Sequence, residues 1–324
     1  MIQGKMTYQG KQSDSTSAVL LMALETIGVK SIPHLDCLTT RPFSMRCPRQ
    51  NPALWLSPFI EPIEGVLMAL KLLDVQHRVE MVSTDWDNIT FLDMLEQCLK
   101  IAPVILGPLN RAKIWDRMNS RYYKGDAYFL LVIACESHGR FIAHDPEGCP
   151  YFLISKEKLL SAIDCSDFKI GIIQLQRYSE TRPYKEVFQQ ILLAGKENYM
   201  KASHHGEGGS NGLYFLAQEI VSKKLKSSEE GCLHFAIPAL GLVSKQVIEF
   251  LSDVPHAISQ TNLNWHELVS SISILLSENI LHCAYALEFL RLRDQKKLSE
   301  QFLTLANNQR LIENLFVLME FSVQ

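Results

Sequence analysis

Every stretch of this chain that reads as a β-strand lies before about Arg182, and everything after it reads as helix. An alternating parallel sheet needs strands and helices interleaved along the whole chain, so this segregation points to an α+β layout followed by an all-helical region. Apolar residues at Ala18, Val19, Met22 and Ile27 predict a helix over 15–29, with Ser15 or Asp14 as its N-cap. Further helices are expected over 64–74, 87–100 and 155–163, with strands over 77–83, 103–107 and 169–176. Residues 128–135 and 140–143 read as two strands joined by Glu136-Ser137-His138-Gly139, a polar, glycine-ended hairpin turn.

Between Ile32 and Pro62 stand Pro33, Pro42, Pro48, Pro52, Pro58 and Pro62. Proline removes a backbone donor and fixes φ, so this stretch is neither continuous helix nor central strand. Ordered loops of that length often line binding sites. Beyond Arg182, helices are expected over 183–199, 212–225, 235–251, 265–290 and 299–321. A chain of 324 residues also suggests two domains, here 1–182 and 183–324.

The 35 acidic and 32 basic side chains nearly cancel, at a formal charge of −3. A protein built to bind phosphate backbones shows a basic excess, so nucleic acid is not an expected partner. No run reaches the roughly 18 uninterrupted apolar residues of a membrane span. Residues 1–10 carry no apolar signal core, and a cytoplasmic setting without a membrane is the expectation. None of the eight cysteines forms a CxxC pair, and most sit in apolar surroundings, as reduced, buried thiols do. The His204-His205-Gly206-Glu207 cluster lacks the i, i+4 spacing of a helical zinc site and reads as a flexible polar loop. No metal and no cofactor are expected. The apolar stripes of the last three helices fit a core or a homo-oligomer surface.

Two segments carry the chemistry. Gln12-Ser13-Asp14-Ser15-Thr16 precedes the first helix. A hydroxyl there sits at the positive end of the helix dipole, a position that hydrolases of several folds give to the nucleophile. The same residues also read as a plain run of N-capping groups. The second segment is the hairpin from Tyr128 to Gly148. Its first strand presents its leading residue at the sheet end and its second brings Asp145 alongside, as a base and its orienting carboxylate meet. A hairpin closed by an Asp-Pro turn accounts for the same residues.

Ser13-Asp14-Ser15-Thr16 before a helix, Pro103-Val104-Ile105-Leu106-Gly107-Pro108-Leu109, the strand at Tyr128 and His144-Asp145-Pro146-Glu147-Gly148 follow in that order. Together they resemble the family of butirosin biosynthesis protein H, itself distantly similar to bacteriocin-processing cysteine peptidases. The resemblance implies a papain-like cysteine-peptidase-type domain followed by a helical domain, and Gly212-Leu213 and Leu216-Ala217 resemble the opening helix of that second domain. It implies an acyltransferase of natural-product biosynthesis that takes an acyl or aminoacyl group from a carrier-protein thioester and passes it to an amine. An acyl carrier protein and an amine acceptor are then the expected partners. A peptidase-like hydrolase is a further reading.

In that family a cysteine attacks, a histidine opening the hairpin strand is the base, and the Asp of the Asp-Pro turn orients it. By resemblance the nucleophile position here is Ser13, the base position Tyr128 and the orienting position Asp145, with Gln9 or Gln12 as oxyanion donors. Only the last of the three catalytic groups is kept. Serine is a weak nucleophile without a base, and a tyrosine of ordinary pKa, near 10, does not accept a proton at neutral pH. Three readings follow: a catalytically silent relative kept as a binding or scaffolding module, new chemistry on a Ser13–Tyr128 pair, or a Cys→Ser replacement at 13. His144 should point to the sheet face opposite Asp145. His34 and Cys37, in the proline-rich stretch, form an alternative base and nucleophile.

Overall fold

In a computed structural model of the chain, the structure describes residues 15–29, 32–43, 45–49, 56–58, 60–82, 86–115, 127–136, 139–146, 148–164, 169–178, 183–253 and 263–319. The chain divides into two compact units. One comprises residues 1–39 and 61–182, the other 40–60 and 183–324.

The first unit is α+β. Its helices are α1 (Ser15–Thr26), α2 (Leu35–Leu38), α3 (Pro62–Leu72), α4 (Asn88–Leu99), α5 (Arg111–Trp115) and α6 (Lys156–Asp164). Its strands are β3 (Val75–Met81), β4 (Val104–Asn110), β5 (Ala127–Cys135), β6 (Arg140–His144), β7 (Phe152–Ser155) and β8 (Gly171–Tyr178). They form one sheet in the order β3-β8-β4-β5-β6-β7, with every neighbouring pair antiparallel. The strand β7 was not legible beforehand, because its four residues are too few to show a period.

α1 is buried from Thr16 through Leu24, on all sides rather than along one stripe, as a helix enclosed by its own domain must be. It ends at Gly28, whose φ of +94° suits glycine. There the Val29 and Gly28 amides donate back to Leu24 O and Glu25 O, each at 3.1 Å, a Schellman stop. α4 starts where Asp87 Oδ1 accepts the Thr90 amide at 2.7 Å. β4, in the middle of the sheet, is buried on both faces from Val104 to Leu109. Along β5, Tyr128, Leu130 and Val132 alternate onto one face, where they pack with Phe91 and Leu95 of α4 and Leu159 and Ala162 of α6. Among the described residues α1 adds none to that cluster. It packs against β4 and β5 from the other face.

The second unit is helical: α7 (Tyr184–His204), α8 (Gly209–Ser222), α9 (Ser227–Ser252), α10 (Leu263–Arg291) and α11 (Gln295–Leu318). Its core runs through Leu213, Leu216 and Ile220 of α8, Leu233 and Ile237 of α9, Ala286 of α10 and Phe302 and Leu305 of α11. α9 and residues 266–291 of α10 are long and apolar enough to cross a membrane by length and composition. Serines and histidines interrupt both apolar runs, so neither stands out in the sequence as a span.

Residues 40–60 belong to this helical unit, which corrects the boundary expected at 182 alone. A short ribbon, β1 (Met45–Arg46) paired antiparallel with β2 (Ser57–Pro58), lies here. Met45, Cys47 and Leu56 join the helical core. Phe43 is fully buried and meets Tyr199, Phe250 and Phe316 edge-on, at centroid distances of 6.1, 5.6 and 6.3 Å. The Cys47 amide donates to Glu207 O at 2.7 Å. Prolines spaced through a segment hide such anchors from any periodicity test.

The Gly-rich turn before α8 is also tighter than expected. A Cβ at Gly208 would strike the backbone of Ala202, and one at Gly209 would strike the Glu313 carboxylate. Gly209 has φ +50°. The segment read as a flexible polar loop is a close-packed helix–helix junction.

Candidate functional site

Tyr128 is the second residue of β5 and Asp145 follows β6 directly. The hairpin register sets Leu131 opposite His144, so the Asp145 carboxylate lies near the start of β5. There the Tyr128 hydroxyl donates to Asp145 Oδ1. Tyr128 is 0% and Asp145 3% exposed, so the pair is enclosed. The Asp145 amide donates to Cys149 O at 3.1 Å, and Gly148 takes φ +131° to let the chain turn back.

Two further residues complete the cluster, and neither was named from the sequence. Trp115 Nε1–H donates to the Tyr128 oxygen at 2.9 Å. The Arg111 guanidinium lies 5.4 Å from the centroid of the Tyr128 ring. Both project from α5, four residues apart and therefore on one face of that single-turn helix. The Trp115 ring also packs on Phe152 of β7, with centroids 5.2 Å apart. The Arg111-Ala112-Lys113-Ile114-Trp115 spacing was the available signal, but five residues do not register as a helix in a pattern search.

This arrangement sets the direction of the protons. The phenol oxygen accepts a hydrogen bond from Trp115, and its O–H donates one to Asp145 Oδ1. A histidine acting as a base keeps an unprotonated nitrogen toward its nucleophile, whereas this tyrosine turns its oxygen toward an indole donor. The described contacts make Tyr128 a polar link inside a core, between a helix and the end of a hairpin.

Ser13, Gln9 and Gln12 lie outside the described residues, as does His138. His144 turns away from Asp145, as strand alternation requires. It is buried, its Nδ1 accepts the Tyr151 amide at 3.2 Å, and its ring stands edge-on to Tyr151 at 4.5 Å. Burial pushes its pKa below the ordinary histidine value. Cys37 is buried within α2, whose N-cap is His34 in the left-handed region at φ 52°. An attacking thiolate must reach its substrate, and a side chain 1% exposed does not.

Among the other described cysteines, Cys47, Cys98 and Cys283 are buried as expected, while Cys135 and Cys232 are only half-buried. Burial pushes the Cys47 and Cys283 thiols up to about 12. Cys149, by contrast, is exposed. His204 Nδ1 bonds Met200 O at 2.6 Å, and His205 Nδ1 accepts the Glu207 amide at 3.2 Å. Among the described residues no three His, Cys, Asp or Glu side chains lie together in a way that could hold a metal ion.

No family model matches this sequence. The chain is 22% identical over 169 residues to the Bacillus subtilis (strain 168) uncharacterized protein YobF. The match covers 50% of this chain and 54% of that relative, about half the length of each.

Proposed function

We propose that this chain is a papain-like relative of the butirosin biosynthesis protein H family whose base position has been absorbed into the core. It acts in the cytoplasm as a binding or scaffolding partner of a biosynthetic enzyme or a carrier protein. The observation that supports this reading is the enclosed Tyr128 hydroxyl, which receives from Trp115 and gives to Asp145. A neutral phenol whose O–H donates to a carboxylate is not a base for a serine hydroxyl at neutral pH. Loss of the base from a coupled triad costs about 10⁴- to 10⁶-fold in rate.

A second reading keeps the chemistry. The pairing of Tyr128 with Asp145 follows the register in which the family sets its base and orienting carboxylate. In that reading Ser13 attacks a carrier-protein thioester, Gln9 or Gln12 steadies the oxyanion, and an amine takes the acyl group.

Intact mass spectrometry after incubation with an activated acyl thioester separates the two. The silent partner shows no acyl adduct, and Ser13→Ala leaves its affinity for the partner unchanged. An adduct on the natural protein that disappears in Ser13→Ala overturns the proposal in favour of acyl transfer.

A further inference from the structure

α10 carries two faces where a core helix needs one. Val269, Ile272, Leu276, Cys283, Ala286 and Leu290 are buried, and the helix packs against α9 and α11. A second row, Ser270, Ile274, Ser277, Leu281, Ala284 and Glu288, lies five residues further on, about 140° round the helix at ~100° per residue. All six are exposed. Ile274 is 57% and Leu281 50% exposed, and only 22% of this helix's most apolar window is buried in the protein. The row repeats in steps of four, three, four, three and four, which is the seam spacing of two packed helices.

Its order also names the partner. The row is symmetric about residue 279. If a second copy of α10 lies antiparallel across it, Ile274 faces Ala284, Ser277 faces Leu281 and Ser270 faces Glu288. Each large side chain then meets a small one, as interdigitating seams require. One step beyond the row at each end stand Glu267 and Arg291, both exposed, and the same operation sets each against the other in the second copy. A parallel pair would instead place Glu267 on Glu267 and Arg291 on Arg291. Glu278, beside the two-fold axis, is exposed in the groove that Ile274 and Leu281 line and accepts from Asn308 of α11 at 3.4 Å. Serines and a glutamate along the row are a poor match to lipid.

We infer that the outer face of α10 docks a second copy of this chain, antiparallel, as a two-fold dimer. This does not rest on the proposed function. The seam is short, so the dimer is of the weak, concentration-dependent kind.

The test is sedimentation equilibrium of the full chain over a concentration series. The natural protein is expected to associate. Leu281→Glu should weaken the dimer roughly 30-fold or more, with the far-UV spectrum unchanged. Glu267→Arg should also weaken it, and Glu267→Arg combined with Arg291→Glu should recover part of the loss, because the swap rebuilds both end pairs while breaking the Arg291–Glu288 ion pair at 3.3 Å within the helix. A protein that stays monomeric throughout overturns the inference, as does a dimer indifferent to Leu281→Glu. Binding to phosphatidylcholine–phosphatidylglycerol vesicles that is lost in Leu281→Glu, with no dimer, would assign the face to a membrane instead.

Discussion

Tyr128 is the residue on which the site turns, because its hydroxyl joins three elements. Trp115 on α5 donates to it, Asp145 after β6 accepts from it, and its own strand holds the phenol in place. Tyr128→Phe keeps the ring and removes only that oxygen, leaving a carboxylate and an indole N–H in an enclosed space without it. Hydrogen bonds to charged groups contribute about 1.5–3 kcal/mol, and the indole bond adds to that. A loss of about 2–4 kcal/mol is expected, read as a lower urea midpoint. A change below about 0.5 kcal/mol would show that the network does not hold the fold. Asp145 was legible from its place in a His-Asp-Pro-Glu-Gly turn, and Tyr128 from its place at a strand start. Arg111 and Trp115 were not, because their one-turn helix is defined by what it packs on rather than by its own period.

At the scale of elements, α8 begins at a glycine N-cap with no side chain to hold its first amides. α11 supplies the missing acceptor. Glu313 Oε1 takes the Ser210 amide at 2.9 Å and Oε2 the Ser210 hydroxyl at 2.8 Å, and Gln309 donates to Oε1 at 3.3 Å. Burial pushes the Glu313 carboxyl above the ordinary glutamate value, and the Ser210 bonds oppose that shift only in part. A group raised on folding gives its stabilisation fully below the unfolded value and loses it as pH rises through the folded one. The helical unit should therefore weaken as pH climbs above about 4.5, the ordinary glutamate value, through the raised one. Glu313→Gln should flatten that part of the profile in urea titrations at successive pH values. A wild-type profile already flat from pH 4 to 8 would contradict it. The five helices themselves were readable from apolar spacing, although α9 starts at Ser227 rather than 235 and α7 runs on to His204 rather than 199. This cap was not, because it joins positions 103 residues apart.

For the whole molecule, the boundary read from composition at 182 was half of the answer. The chain passes between the units at 39–40, 60–61 and 182–183, since residues 40–60 leave the sheet unit and return. A fragment of residues 183–324 therefore lacks Phe43, Met45, Cys47 and Leu56, all buried in the helical core. Burying a Phe, Met or Leu side chain contributes about 1.5–3 kcal/mol, so losing these anchors removes a sum comparable with the whole margin of about 5–15 kcal/mol on which most domains stand. The fragment alone should aggregate or melt without cooperativity, and fusing residues 40–60 ahead of it through a flexible linker should restore a sharp transition. A fragment that melts cooperatively without them would show that the segment is an accessory rather than part of the core.

Synthesis order gives that interleaving a temporal side. The ribosome releases Phe43 well over a hundred residues before Phe250 and Phe316, two of the rings that enclose it. At about 5–20 residues per second the anchor waits on the order of ten seconds or more, greasy and unhoused, while the sheet encoded after it in the chain has the chance to form. Nascent chains of this protein should draw holdase chaperones to that early segment, and release them only once the last helices have left the exit tunnel.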